Sequence, residues 1–307
     1  MRWTAADIPD LSGKIAIVTG ANRGLGRATV RALAAHGATV VMGCRDPRLG
    51  DAAAHEIRDA HAAADLRVWP LNLQSLASIR AFAMRAGEHL SRVDILINNA
   101  GVMNTPYGLT EDGFEAQMGT NHLGHFALTG GLLPLLRRAP QARVVTVSSL
   151  AHKMGKLDRR APMFPDGRGY TPFRAYARSK LANLLFMRGL QRRFAAHGWS
   201  AVAIGAHPGA AQTDLGRHIE GHLFFRVFEP VLRKLVQDAE AGALPQLRAA
   251  TDPAARGGSY YGPDGRGEMA GYPVLVKPSR RACSDADADW LWEWSERVTG
   301  VRFDFSA

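Results

Sequence analysis

The pair of residues best suited to chemistry is Tyr176 and Lys180, which lie four positions apart in the stretch Tyr-Ala-Arg-Ser-Lys. On a helix this spacing places both side chains on one face, with Cβ atoms about 5–6 Å apart. An ammonium group beside a phenol stabilises the phenolate, and lowering a tyrosine pKa from ~10 to ~7 takes about 4 kcal/mol. One unit charge at about 4 Å supplies roughly that amount at an effective dielectric constant of ~20. The pair therefore predicts a proton donor and acceptor for neutral pH.

A glycine-rich turn near the start of the chain predicts a phosphate site. The apolar, β-branched run 14–19 indicates a buried strand, and the turn T-G-A-N-R-G-L-G follows it at 19–26, before an Ala-rich helical stretch. Glycines permit a tight turn, and a helix N-terminus offers free N–H groups to a pyrophosphate. An ordinary strand–helix connection is the alternative for such a turn taken alone. The expected cofactor contacts in this turn are Gly20, Asn22, Arg23, Gly24, Leu25 and Gly26.

The end of the second expected strand, 39–44, predicts which dinucleotide binds. About 20 residues after such a turn an acidic residue would hold the ribose 2′-hydroxyl of NAD, but these positions are Cys44 and Arg45. The guanidinium groups of Arg45 and Arg23 match the geometry of a 2′-phosphate. Asp46 follows and opposes this reading, and a solvated Arg45 is the alternative. The charge pattern favours NADP(H) over NAD(H).

Strand and helix patterns alternate along nearly the whole chain. Buried strands are expected at 14–19, 39–44, 66–71, 93–97, 142–147 and 201–206, with a short seventh strand at 258–261. This alternation predicts an α/β fold in a single domain, a Rossmann-type doubly wound sheet of about seven parallel strands with helices on both faces. Within it we expect a dinucleotide-binding and catalytic core at 14–209, a substrate lid at 210–238, and a C-terminal strand and helices at 239–307.

Six short motifs, in this order, resemble those of the short-chain dehydrogenases/reductases over nearly the whole chain. They are T-G-x-x-x-G-x-G at 19–26, N-N-A-G at 98–101, Asn121, the serine pair at 148–149, Y-x-x-x-K at 176–180 and P-G-x-x-x-T at 208–213. Finer matches, such as N-H-L-G-H-F at 121–126 and G-G-x-Y-Y-G-P-D-G at 257–265, resemble the retinol-dehydrogenase-like branch. One departure is Asn72, where the family usually has Asp beside the adenine.

The resemblance implies a role for each matching residue. Tyr176 would be the general acid in reduction and the base in oxidation, and Lys180 would lower its pKa and bond the nicotinamide ribose. Ser149 would hydrogen-bond the substrate oxygen, and Asn121 would hold a water that relays a proton to Lys180. At the carboxyl ends of the strands, where ligands of α/β sheets sit, further cofactor contacts are expected from Asn72, Leu73, Asn99, Ala100, Gly101, Pro208, Gly209 and Thr213, besides Tyr176 and Lys180.

The implied function is NADP(H)-dependent hydride transfer between nicotinamide and a carbonyl or alcohol. The apolar, basic stretch 215–236 and the long loop 152–173 favour a bulky hydrophobic substrate: a retinoid, a steroid, a lipid aldehyde or a polyketide-type ketone. The stretch could equally be a membrane-surface face, a subunit contact or core. Two other functions remain as alternatives, a non-catalytic NADP(H)-binding regulator and a nucleotide-sugar epimerase or dehydratase. The glycine spacing opposes the epimerase, and the complete set of catalytic groups opposes the regulator.

Composition excludes several other classes. The formal charge is +10, yet the basic residues are scattered, so no specific nucleic-acid partner is expected. The two cysteines, Cys44 and Cys283, indicate neither a disulfide framework nor a metal site. His122 and His125 could ligate a metal from one helix, but no third ligand is nearby, and core or surface histidines are expected. With no apolar N-terminal stretch and no run of ~18 apolar residues, a cytoplasmic protein is expected. Members of the family that the motifs resemble commonly pair through two helices, so the resemblance implies a homodimer through 120–138 and 174–197.

Overall fold

Eight strands form one sheet in the computed structural model, which describes residues 2–210 and 237–306. The strand order is β3-β2-β1-β4-β5-β6-β7-β8. The pairs from β3 through β7 are parallel, and β8 is antiparallel to β7. The strands are β1 Ile15–Thr19, β2 Thr39–Cys44, β3 Leu66–Pro70, β4 Ile95–Asn98, β5 Arg143–Val147, β6 Val202–Ala206, β7 Tyr260–Pro263 and β8 Pro273–Leu275. The predicted fold class is thus confirmed, and β8 is an addition to it.

Helices cover both faces of the sheet. They are α1 Gly24–Ala35, α2 Pro47–Ala60, α3 Leu76–His89, α4, α5 Leu133–Arg137, α6 Pro172–Ala196, α7 Ala239–Thr251 and α8 Asp285–Thr299. Helix α4 has three contiguous parts, Ala116–Met118, a π turn Gly119–Leu123, and Gly124–Gly131. Among these described helices, none is both long enough and apolar enough to cross a bilayer.

Two hydrophobic cores lie on opposite sides of the sheet, because successive strand side chains point to opposite faces. In β1, Ala16 and Val18 belong to the core that α1, α2 and α7 cover, whereas Ile17 belongs to the other. Both cores are apolar over their full width, as expected for parallel strands buried on both faces. The division of the chain at 209 and 238 stays a prediction, and positions 211–236 of the expected lid lie outside the described residues.

The strand order places a crevice between β1 and β4. From β1 the chain proceeds outward through β2 and β3, and it then returns to place β4 on the other side of β1. Connections that leave in opposite directions cannot cover the space between the two strand ends, so doubly wound sheets bind ligands there. The turn after β1 and the N-N-A-G motif after β4 both open onto this crevice.

The C-terminal helix covers the helical face through which we expected subunits to pair. The Trp292 ring of α8 lies 5.2 Å from that of Phe126 in α4 and 5.8 Å from that of Phe186 in α6. Phe303 of the following tail completes the cluster, 4.5 Å from Trp292. The homodimer stays a prediction, and pairing directly through α4 and α6 would require α8 to be displaced.

We expect Trp292→Ala to lower the free energy of unfolding by about 3–5 kcal/mol, because the indole is 4% exposed and its loss leaves a cavity among four aromatic groups. Urea denaturation measures this loss. The neighbouring, exposed Glu293 offers a control on the same helix, and Glu293→Ala should change the value by no more than about 0.5 kcal/mol. Equal effects of the two substitutions would contradict the packing described for α8.

Candidate active site

Helix α6 carries Tyr176 and Lys180 on one buried face. The Thr171 hydroxyl accepts a hydrogen bond from the Arg174 backbone N–H, 3.2 Å away, and Pro172 follows the cap, so the helix begins with favourable residues. Tyr176 is 6% exposed and Lys180 is 4% exposed. The Lys180 ammonium lies 5.7 Å from the centroid of the Tyr176 ring and donates to the Val147 carbonyl at 3.2 Å. The two groups that define the motif are therefore together, near the end of β5.

Ser149 follows β5 and lies against the phenol of Tyr176, with which its side chain shares a hydrogen bond. The Ser149 carbonyl accepts from His152 Nδ1 at 2.7 Å, so the backbone that aims this hydroxyl is held in place. Tyr176 also packs in a small apolar cluster with Ala151 and Ala177, which Met103 joins. The arrangement places two hydroxyl groups side by side next to an apolar wall, where one carbonyl oxygen could contact both.

Burial sets the protonation state of this pair. Burial raises the pKa of Tyr176, and the hydrogen bond with Ser149 offsets part of that rise. Burial likewise lowers the pKa of Lys180 to about 8. The net lowering of the Tyr176 pKa that we expected from Lys180 is therefore absent, because the cost of burying a charge outweighs the attraction of the ammonium. The phenol is neutral at neutral pH, the form that can donate a proton.

Asn121 lies within the π turn of α4, a type of distortion that is frequent at functional sites. Its Oδ1 accepts from the Val102 N–H at 2.8 Å, and its Nδ2 donates to the Val102 carbonyl at 3.0 Å and to Ser179 Oγ at 2.9 Å. The side chain therefore ties the residue after N-N-A-G to the catalytic helix α6. The proton relay through Asn121 stays a prediction.

A cavity of about 240 Å³ occupies the crevice at the carboxyl ends of β1 to β4. A Cβ at Gly26 would collide with the Gly20 carbonyl, and a Cβ at Gly101 would lie 3.2 Å from Asn121 Oδ1 and 3.4 Å from Lys180 Nζ. Glycine at these two positions therefore permits close backbone packing at the wall of the cavity, as in the glycine turns that bind dinucleotides. The cavity is lined by twelve of the predicted cofactor contacts, Gly20, Asn22, Arg23, Gly24, Leu25, Gly26, Arg45, Asn72, Leu73, Asn99, Ala100 and Gly101.

Other predicted contacts lie elsewhere. Pro208 and Gly209 follow β6 and are not part of the cavity wall, and Thr213 lies outside the described residues. The wall also includes residues that the sequence reading passed over, Gly43, Asp46, Leu49, Leu71, Gln74, Val102 and Thr120. Most of these are one or two positions from a predicted contact at a strand end, and that adjacency could have identified them.

The contacts of position 72 explain why it is Asn rather than the Asp that is usual in the family. Its Nδ2 donates to Glu111 Oε1 at 3.0 Å, and its Oδ1 accepts from the Gln74 N–H at 3.1 Å. An aspartate in this place would bring a second carboxylate against Glu111, and like charges repel. An amide can accept from the backbone and donate to the carboxylate at once.

Two buried histidines that we did not predict as functional hold the backbone near the catalytic residues. Besides His152 at Ser149, His207 Nδ1 accepts from the Gly209 N–H at 3.2 Å, and its Nε2 donates to Glu268 at 3.0 Å. Glu268 in turn accepts from Lys153 at 2.8 Å. Both histidines lie within three positions of a motif in the chain. This proximity is the sequence signal that could have identified them.

Comparisons with known proteins decide the family. The sequence model of the short chain dehydrogenase family matches residues 14–161. Human retinol dehydrogenase 13 is 41% identical over 300 residues, which are 95% of this chain and 86% of that protein. The chain belongs to the short-chain dehydrogenases/reductases. The resemblance drawn from the motifs, including the retinol-dehydrogenase-like branch, is confirmed, and this short-chain dehydrogenase is an oxidoreductase that transfers a hydride.

Solved structures agree with this assignment. A crystal structure of a protein from Mycobacterium paratuberculosis is 44% identical, covers 99% of this short-chain dehydrogenase and 100% of its own chain, and has a TM-score of 0.83. The active-site complex of RhlG with NADP from Pseudomonas aeruginosa is 26% identical, with a TM-score of 0.63 over 82% of this chain and 94% of that one.

Acid should destabilise the protein through its buried histidines. Burial lowers the pKa of His122 to about 3 and the pKa values of His125 and His207 to about 4. Unfolded histidine titrates near ~6.5, so below that pH the unfolded chain binds more protons. Stability is then lost as pH falls from ~6.5 toward ~4, by about 1.4 kcal/mol per pH unit for each histidine.

Urea denaturation at several pH values across this window measures the loss. His122→Phe should make the dependence shallower by one proton, whereas replacement of the exposed His55 by Gln should leave it unchanged. A free energy of unfolding that stays constant between about pH 6.5 and about pH 4.5 would show that these imidazoles are not buried in the neutral form.

Proposed function

We propose that this protein is an NADP(H)-dependent carbonyl reductase or alcohol dehydrogenase for bulky hydrophobic substrates. The observation that carries the proposal is the adjacency of the Ser149 side chain to that of Tyr176, on the helix whose Lys180 lies beside Gly101 of the cavity wall. Two neighbouring hydroxyl groups can polarise one carbonyl oxygen, and the cavity approaches Lys180 at Gly101. These are the parts that reduction of a carbonyl needs.

In this proposal each residue has a distinct task. The nicotinamide supplies or accepts the hydride when it is bound. The Ser149 hydroxyl donates a hydrogen bond to the substrate oxygen, and the neutral phenol of Tyr176 donates its proton there during reduction and recovers it during oxidation. The ammonium of Lys180 stabilises the phenolate that this transfer leaves and contacts the nicotinamide ribose. Asn121 keeps Val102 and α6 at a fixed separation.

A preference for NADP(H) is supported by the charge at the cavity wall. Arg23 and Arg45 both line the cavity and are exposed, and a guanidinium group matches the geometry of a ribose 2′-phosphate. The buried Cys44 occupies the end of β2, where an acidic side chain would have favoured NAD(H). The NADP complex of RhlG is consistent with this choice of cofactor.

A bulky apolar substrate is supported by the surroundings of the phenol. Met103, Ala151 and Ala177 are the neighbours of Tyr176 in its cluster, and Met154 on the adjoining helical turn is 62% exposed. Apolar walls with few polar groups are typical of sites for hydrophobic ligands. Together with the retinol dehydrogenases among the relatives, they favour a retinoid, a steroid, a lipid aldehyde or a polyketide-type ketone.

Tyr176→Phe should lower kcat for reduction of a hydrophobic aldehyde or ketone by roughly 10²–10⁴-fold, because the proton donor is lost. NADPH affinity, measured by fluorescence titration, should remain within about threefold, since a ring of the same size is retained. Tyr107→Phe is the matched control, because Tyr107 is 39% exposed and lies outside the site. Undiminished turnover by the Tyr176 variant would refute the assignment.

Arg45→Ala should raise KM for NADPH by about 10- to 100-fold, because charge-assisted hydrogen bonds to phosphate are worth about 1.5–3 kcal/mol. KM for NADH should change little, since that cofactor has no 2′-phosphate. Arg48 provides the control, with a side chain that is 92% exposed and not part of the cavity wall. If Arg45→Ala affected both cofactors equally, the proposed 2′-phosphate contact would be wrong.

A further inference from the structure

We propose that His125 is a positioning residue, whose imidazole joins the strand that enters the glycine turn, the N-N-A-G motif and the π turn of Asn121. The inference rests on the proposed use of the β1–β4 cavity by a nicotinamide cofactor. His125 touches neither the cavity nor the catalytic hydroxyl groups. It acts through the backbone groups that shape them.

The hydrogen bonds of His125 determine its tautomer. Nδ1 lies 3.0 Å from the Asn121 carbonyl, which can only accept, so Nδ1 carries the proton. Nε2 lies 2.9 Å from Thr19 Oγ1 and must accept, since a neutral imidazole has one N–H. The side chain is 1% exposed. Burial, with Lys180 close by, lowers its pKa to about 4, consistent with a neutral ring.

The Thr19 hydroxyl is the second half of the bridge. Its oxygen accepts from the backbone N–H of Asn99 at 3.0 Å and of Ala100 at 2.9 Å, which uses both lone pairs. Its single proton is then directed to His125 Nε2, and the other acceptor in range, the Ile97 carbonyl, is more distant at 3.4 Å. Every donor and acceptor of the bridge is therefore satisfied without a charge.

The bridge spans the crevice. Thr19 ends β1 and precedes Gly20, while Asn99 and Ala100 follow β4, and all but Thr19 line the cavity. Asn121, at the far end, is the residue that holds Val102 and α6. The imidazole of His125 thus links the ends of β1 and β4 to the π turn of α4.

His122 provides an internal control on the same helix. It is also 1% exposed, and its Nε2 lies 2.8 Å from Ser295 Oγ in α8. That hydroxyl donates to the Leu291 carbonyl at 2.7 Å, so His122 Nε2 must be the donor. His122 is therefore the opposite tautomer to His125, and among the described residues its contacts are with the aromatic core and α8 rather than with the cofactor motifs.

Three variants separate positioning from packing. His125→Phe keeps the volume and loses both hydrogen bonds, which should raise the NADPH dissociation constant by roughly tenfold, because the Thr19 hydroxyl loses its near acceptor and keeps only the Ile97 carbonyl at 3.4 Å. His125→Gln places an acceptor near the Nε2 position and should recover much of that affinity. His122→Phe should lower the melting temperature comparably but leave NADPH affinity within about twofold. An equal loss of affinity in the two Phe variants would overturn the proposal.

A double-mutant cycle tests whether Thr19 and His125 act as one unit. In a Thr19→Val background, where the hydroxyl is already absent, His125→Phe should change NADPH affinity by less than about twofold. Losses that multiply in the double variant would show two independent effects and would overturn the bridge.

Nitrogen-15 NMR of the histidine-labelled full chain reads the tautomers directly. We expect one signal from a neutral Nδ1–H ring that disappears in His125→Phe, and one from an Nε2–H ring that disappears in His122→Phe. An Nε2–H or charged ring at His125 would contradict the bridge. If the wild-type protein bound neither NADPH nor NADH, the proposed function would fail, and this measurement would still decide the role of His125.

Discussion

The rest of the structure depends on one constraint. The connections that follow β1 and β4 leave the sheet in opposite directions. Because the two connections leave in different directions, the space between the strand ends stays open. The glycine turn and N-N-A-G line this opening with backbone, and a Cβ at Gly26 would collide with the Gly20 carbonyl. The end of α6 that carries Tyr176 and Lys180 meets the same crevice at Gly101, so the predicted cofactor space and the predicted proton donor are adjacent.

Burial away from water shifts the pKa values of Tyr176 and Lys180. Tyr176 and Lys180 have pKa values displaced by burial in opposite senses, and both displacements favour the uncharged form. The neighbouring histidines at 125, 152 and 207 are also buried, and each holds a backbone group of a functional motif. The polar groups that these histidines hold are backbone groups, and the Lys153–Glu268 ion pair lies beside His207.

Local patterns predicted the regular elements well. The strand expected at 39–44 agrees with the structure, because β-branched runs act over a few neighbouring residues. Strand β8 escaped prediction, since it is three residues long and begins at a proline. The π turn at Asn121 also escaped prediction, because its residues are equally compatible with an ordinary α-helix.

The sequence by itself determined the family, the order of the strands' motifs and twelve of the residues that line the cavity, because these follow from short, contiguous signals at strand ends. Only the tertiary structure decided the direction of the Tyr176 pKa, the reason for Asn72 and the partners of each histidine. Thr19 and His125 are 106 positions apart in the chain, and Asn72 and Glu111 are 39 apart. No local pattern encodes such contacts, since burial and distance are properties of the folded chain.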